Sequence, residues 1–148
     1  MPSTHLSLFV HAVFSTKNRE PFIGKDWRDR LHAYMGGLIR ALGAVPLAVG
    51  GVEDHAHALL GFKATHRICD LLRDLKGGAS QWVHETLGMP EFEWQEGYGA
   101  FTVSPDRREA VKKYIERQEE HHHGMTFQEE YLRLLQESGT PYDERYLW

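Results

Sequence analysis

The segment Val45 to Phe62 constrains the fold more than any other, because it reads as two consecutive strands with one reversal between them. Leu47-Ala48-Val49 is one β-prone stretch and Ala56 to Phe62 another, while Gly50-Gly51-Val52-Glu53-Asp54 supplies turn residues. A hairpin of this kind is not stable alone; it needs more strands at its edges and helices over an apolar face. The rest of the chain provides both. Leu6 to Phe14 is an apolar, β-branched run with His11 in its middle, which predicts a buried strand. Trp27 to Leu42 carries apolar residues at helical spacing, with Asp26 placed to cap its start and Gly43 to stop it.

Beyond the hairpin, Thr65 is placed to cap a helix whose apolar stripe is Ile68, Leu71, Leu72 and Leu75. Gly77-Gly78 is expected to weaken or bend it before Trp82 and Val83 resume the stripe. Glu93 to Val103 predicts a strand kinked at Gly97 and Gly99. Ser104-Pro105-Asp106 opens a helix running through Val111, Tyr114, Ile115 and Gln118 toward His121-His122-His123-Gly124. Thr126 and Glu129 form a capping-box pattern for a last helix, which Gly139 and Pro141 end. The order strand, helix, strand, strand, helix, strand predicts a ferredoxin-like α+β sandwich. Its antiparallel sheet carries helices on one face, plus C-terminal helices.

A length of 148 residues suits a single domain over 1–148, and 41% apolar with 11% aromatic residues excludes a disordered chain. The lone Cys69 excludes an internal disulfide framework and a Cys-pair zinc motif. No run approaches the roughly 20 apolar residues of a membrane span, and the first residues lack a secretion signal, so a cytoplasmic, non-membrane protein is expected. Net charge is −4, unevenly spread: residues 1–80 carry ten Lys/Arg against seven Asp/Glu, and residues 81–148 carry seven against fourteen. A local basic patch, not the total, decides whether phosphate can bind.

His55 and His57 are two apart on a predicted strand, so both imidazoles face one side and Ala56 the other. Such a pair can ligate a divalent cation, or can be ordinary strand histidines. Asp54 belongs to the turn. Tyr114 and Gln118, four apart on a predicted helix, share a face. A tyrosine there can attack phosphorus if its pKa near 10 is overcome, and a glutamine oxygen can join a metal shell; equally, Tyr114 can be an aromatic at the core's edge. His121 falls near that face and His122 off it; either can ligate a metal or orient a phosphate, though a solvated helix end is the simpler account. Lys17, Arg19, Arg67, Arg73 and Lys76 are candidate phosphate contacts or simply solvated charges.

Spacing alone leaves these alternatives open. The ordered set FVHAVFSTKNREPFI (Phe9–Ile23), EDHAHALLGF (Glu53–Phe62), LLRDLKGGAS (Leu71–Ser80), Gly97–Leu135 and YDERYLW (Tyr142–Trp148) resembles the single-tyrosine transposases of bacterial insertion sequences. These are HUH endonucleases, and the REP-associated tyrosine transposases share the domain. The resemblance implies that His55, His57 and Gln118 hold a divalent ion, Mg²⁺ or Mn²⁺, and that Tyr114 is the nucleophile. It also implies cleavage and rejoining of hairpin-bearing single-stranded DNA through a 5′-phosphotyrosine link. A homodimer is implied as well, with no small-molecule substrate. Two other classes remain to be distinguished: a non-catalytic hairpin-binding module on the same fold, and a metallohydrolase that activates water.

Overall fold

The computed structural model describes residues 3–148. Four strands form one antiparallel sheet: β1 (Phe9–Ser15), β2 (Val45–Val52), β3 (His55–Gly61) and β4 (Gly99–Val103), in the order β2-β3-β1-β4. With α1 (Lys25–Ala41) between β1 and β2, and α2 (Ile68–Thr86) between β3 and β4, this is the expected ferredoxin-like arrangement. Three further helices follow: α3 (Arg108–Glu116), α4 (Gln118–His121) and α5 (Phe127–Ser138).

Period-two alternation in the strands gives the sheet two apolar faces. Ala12 and Phe14 of β1 and Ala56, Ala58 and Leu60 of β3 face α1 and α2. The helices answer with stripes at helical spacing, Leu31, Met35 and Ile39 on α1 and Leu71, Leu72, Leu75, Ala79 and Val83 on α2. The intervening residues point to the opposite face, where Leu59 meets Val103 and Ile115, with Val111 and Tyr114 packed alongside. His55, His57 and His11 stand on this second face, away from α1 and α2. Central pairing fixes their register: Val13 is opposite His57 and Ser15 opposite His55.

Several local expectations are corrected. The first strand starts at Phe9, because Leu6 and Leu8 stay exposed. Neither Asp26 nor Thr65 caps a helix: α1 and α2 begin after Gly24 and Arg67 without a side-chain cap bond. Gly50, Gly51 and Val52 lie in β2, so the reversal shrinks to Glu53-Asp54. Gly77-Gly78 does not break α2; a Cβ at Gly78 would lie 3.0 Å from Leu38 Cδ1, so its absence lets α1 and α2 pack closely. Glu93 to Gly97 forms only a bridge, Thr16 with Trp94. The helix expected from residue 104 to His121 is a 3₁₀ turn, then α3, a break at Arg117 (φ −105, ψ 27), then α4. Thr126 does cap α5, accepting from the Glu129 amide at 3.2 Å.

One glycine positions the second layer. A Cβ at Gly50 of β2 would collide with the backbone carbonyl of Ile115, so only glycine allows α3 to lie this close to the sheet. Tyr114 is thereby set beside the histidine face. Among the described residues no helix is long and apolar enough to cross a membrane.

Candidate active site

His55 and His57 leave β3 on the same face and are both fully buried. The carboxylate of Glu130, on α5, reaches them from the covering layer and is itself 1% exposed. Its Oε1 lies 3.1 Å from Nε2 of His55, of His57 and of His122. Its Oε2 accepts a short hydrogen bond from the Tyr114 hydroxyl and another from Gln118 Nε2 at 3.1 Å. Gln118 Oε1 sits 3.0 Å from His55 Nε2 and 3.1 Å from His122 Nε2. Five side chains therefore converge on one buried carboxylate.

The far nitrogen of each imidazole is held from outside. His55 Nδ1 donates to Asp54 Oδ1 at 2.7 Å, and His122 Nδ1 donates to the Met125 carbonyl at 2.6 Å. His57 Nδ1 lies 2.7 Å from His11 Nε2. Metal-binding histidines are oriented in this way, with an outer partner on one nitrogen and the other turned inward. The inward atoms of His55, His122 and Glu130 lie within 4.8 Å of one another, and His57 Nε2 and Gln118 Oε1 border the same point. Imidazole nitrogens with amide and carboxylate oxygens fit a divalent transition ion well, whereas Mg²⁺ favours oxygen-rich shells.

Electrostatics separates the two histidines of the pair. Burial opposes charge on His55, yet hydrogen bonds to Asp54 and Glu130 outweigh it and raise the imidazole to about 9. Burial dominates at His57, whose second nitrogen faces His11 instead of a carboxylate, and lowers it to about 4. Burial also lowers His11 to about 3 and His32, on α1, to about 4. For Glu130, burial would raise the carboxyl, but His122, His55 and His57 together hold it far below the usual range. Burial, then the Glu130 charge, pushes the Tyr114 phenol above its usual value, so it is neutral as it stands.

These shifts predict a stability profile. The unfolded chain protonates His11, His32 and His57 near 6.5, the folded chain only near 3 to 4. The unfolded state thus binds more protons in that window, and their contribution to stability is lost as pH falls through it. His55 acts oppositely: its contribution is complete below 6.5 and is lost as pH rises through about 9. Thermal melts of the metal-free protein are expected to show Tm falling from pH 6.5 toward pH 4. A constant Tm across that interval contradicts the assignment.

The residues expected at the site divide. His55, His57, Tyr114 and Gln118 come together in one chain, although Arg117 breaks the helix expected to join the last two. Lys17 and Arg19 follow β1 at the His55 end of the sheet; Lys17 pairs with Glu93 at 3.3 Å and Arg19 lies 5.5 Å from the Trp148 ring centre. Arg73 and Lys76 belong to α2, on the other face of the sheet. Arg73 pairs with Asp70 and Asp74, and Lys76 donates to the carbonyls of Gln95 and Gly97 at 2.8 Å. Sequence reasoning missed Glu130 and set His122 aside. Glu130 falls three residues after Phe127 on the buried stripe of α5, and a carboxylate on an apolar stripe was the available signal.

Comparison with known proteins adds family to this geometry. Residues 4–118 match the model of the family described as "Transposase IS200 like". The ISDra2 transposase TnpA of Deinococcus radiodurans is 24% identical over 119 residues, 75% of this chain and 84% of that protein. A crystal structure of a Deinococcus radiodurans R1 protein superposes with a TM-score of 0.64 at 24% identity, covering 80% of this chain and 96% of that one. A REP-associated tyrosine transposase bound to a REP hairpin superposes with a TM-score of 0.59 at 14% identity, covering 85% and 76%. The family match ends at Gln118, so His122 and Glu130 lie beyond it. The chain belongs to the IS200-like family of DNA transposases.

Proposed function

We propose that this transposase cleaves and rejoins hairpin-bearing single-stranded DNA, with Tyr114 as nucleophile and a divalent ion held by His55, His57 and Gln118. His122 and Glu130 complete the ligand set. The observation that carries the reading is the position of Glu130, with one oxygen at the three imidazoles and the other at the Tyr114 hydroxyl. A hairpin substrate is proposed because a structural neighbour is bound to one.

A bound divalent ion would polarise the scissile phosphate and offset charge in the transition state. The remaining chemistry belongs to the chain. Glu130 Oε2 holds the Tyr114 hydroxyl in place, and the phenol gives up its proton as its oxygen forms a bond to phosphorus. The bond from phosphorus to the 3′-oxygen breaks, and that oxygen leaves as a hydroxyl, taking up one proton in balance with the one Tyr114 gave. The product is a 5′-phosphotyrosine. A 3′-hydroxyl can reverse the step on another strand, so rejoining needs no nucleotide triphosphate. Tyr114 and the three histidines share the Glu130 carboxylate, which supports a site assembled from these groups.

Labelled hairpin oligonucleotides incubated with Mn²⁺ or Mg²⁺ test the reading on a denaturing gel. Metal-dependent cleavage is expected, and His57→Ala should abolish it. Cleavage undiminished in His57→Ala removes the assigned site; tight binding without cleavage favours a hairpin-binding module.

A further inference from the structure

The helix that carries the nucleophile is the most basic stretch of an acidic chain. Residues 107–117 hold five cations, Arg107, Arg108, Lys112, Lys113 and Arg117, against two carboxylates, while the whole chain is −4. Lys17, Arg28, Arg67, Arg73 and Arg145 are all in ion pairs with carboxylates. None of the five cations on 107–117 has a carboxylate oxygen within 4.0 Å among the described residues. Self-neutralised cations are spent on the fold; unpaired ones remain for phosphate.

Two openings border the site, one lined by Glu130 and Tyr114 and one by His122, and they differ. One cleft of about 390 Å³ has Tyr114 in its wall, Val111, Met125 and Leu134 as apolar lining, and Arg107 and Arg133 among its polar residues. Glu137 also lines it but pairs with neither arginine. The other opening, by His122 and Thr126, is lined by Glu53, Asp54 and Glu129 with no lysine or arginine. A DNA strand carries one negative charge per phosphate and flat apolar bases, so it suits the first opening and is repelled by the second. Arg107 and Arg133 line the same cleft as Tyr114, so both guanidinium groups face the space in which the reacting strand must lie.

We propose that the Tyr114-side cleft seats the DNA strand next to the scissile phosphate, with Arg107 and Arg133 binding backbone phosphates and Val111, Met125 and Leu134 supporting a base. Arg133 lies on α5, beyond the residues that match the family, so this half of the grip belongs to the C-terminal addition. The inference rests on the transposase reading above for the identity of the strand. It differs from the sequence expectation, which looked to Lys17 and Arg19 after β1 and to Arg73 and Lys76 on the far face.

The test measures anisotropy of a labelled single-stranded oligonucleotide on a Tyr114→Phe background, across a salt series. Each lost phosphate contact lowers the slope of log K against log salt by about 0.7 for a single strand, so Arg107→Gln/Arg133→Gln should lose about 1.4. Affinity at low salt should fall about tenfold. The control is Arg30→Gln/Arg40→Gln, two exposed cations of α1, which should change neither. Both pairs are on the surface, and equal melting temperatures confirm intact folds. An unchanged slope, an equal loss in the control, or no binding by the parent overturns the proposal. If the wild type still forms a covalent adduct while the slope is unchanged, only this inference fails. If the slope falls but no adduct forms, the catalytic reading fails and the binding surface stands.

Discussion

Glu130→Ala is expected to destabilise the metal-free protein by about 3–5 kcal/mol, the usual cost of leaving a buried charge without its partner. The carboxylate is 1% exposed and is approached by three imidazoles, an amide and a phenol. Alanine cannot accept from any of them. His55 would retain Asp54 and the Gln118 oxygen, while the inward N–H of His57 would lose its acceptor in a buried space. Each stranded donor costs about 1–3 kcal/mol, partly relieved where an imidazole can lose its proton. Glu130→Gln keeps the shape and one acceptor, so its loss should be smaller, about 1–2 kcal/mol. Denaturant unfolding in chelator measures both. The same variants should bind Mn²⁺ at least about tenfold more weakly, as expected when a ligand is removed from a metal shell. A loss below 1 kcal/mol for the alanine variant would show that the carboxylate does not organise the site.

Tyr114→Phe is expected to lose covalent adduct formation by about 10⁴-fold or more, since no other hydroxyl stands at the Glu130 carboxylate. Phenylalanine keeps the ring against Leu59 and Ile115, so the fold should survive with a loss of about 1 kcal/mol for the missing hydrogen bond. DNA binding should persist. A variant that cleaves normally would make Tyr114 a packing residue and shift the chemistry toward activated water. Loss of cleavage together with loss of the fold would be seen in the melting curve and is not the expected pattern.

The sheet was legible because its signals are local. Alternation put Ala56 into the α1–α2 core and His55 and His57 on the other face, as the structure confirms. The chain order of strands and helices was enough for the topology. The helix from residue 104 was only half read: its polar content hides the break at Arg117, which no proline or glycine announces. Tyr114 and Gln118 nevertheless meet, through Gln118 Nε2 donating to the Tyr114 carbonyl at 3.4 Å and through their common partner Glu130. Glu130 offered only the signal of a carboxylate on an apolar stripe, because its partners are 8 to 75 positions away and only tertiary packing joins them. Lys76 shows the same limit from the other side. Its sequence position allowed a phosphate contact or a solvated charge, and here its amine donates to the carbonyls of Gln95 and Gly97 that precede β4.

The central claim is a bond between the Tyr114 oxygen and DNA phosphorus. The direct measurement is mass spectrometry of the trypsin-digested protein after reaction with a single-stranded hairpin oligonucleotide and Mn²⁺. Trypsin cuts after Lys113 and Arg117, so the nucleophile lies in a short peptide, Tyr114 to Arg117. Nucleotide mass attached to that peptide, absent without metal and absent in Tyr114→Phe, is the predicted result. Cleaved DNA with an unmodified Tyr114 peptide, or an adduct on any other residue, would contradict it.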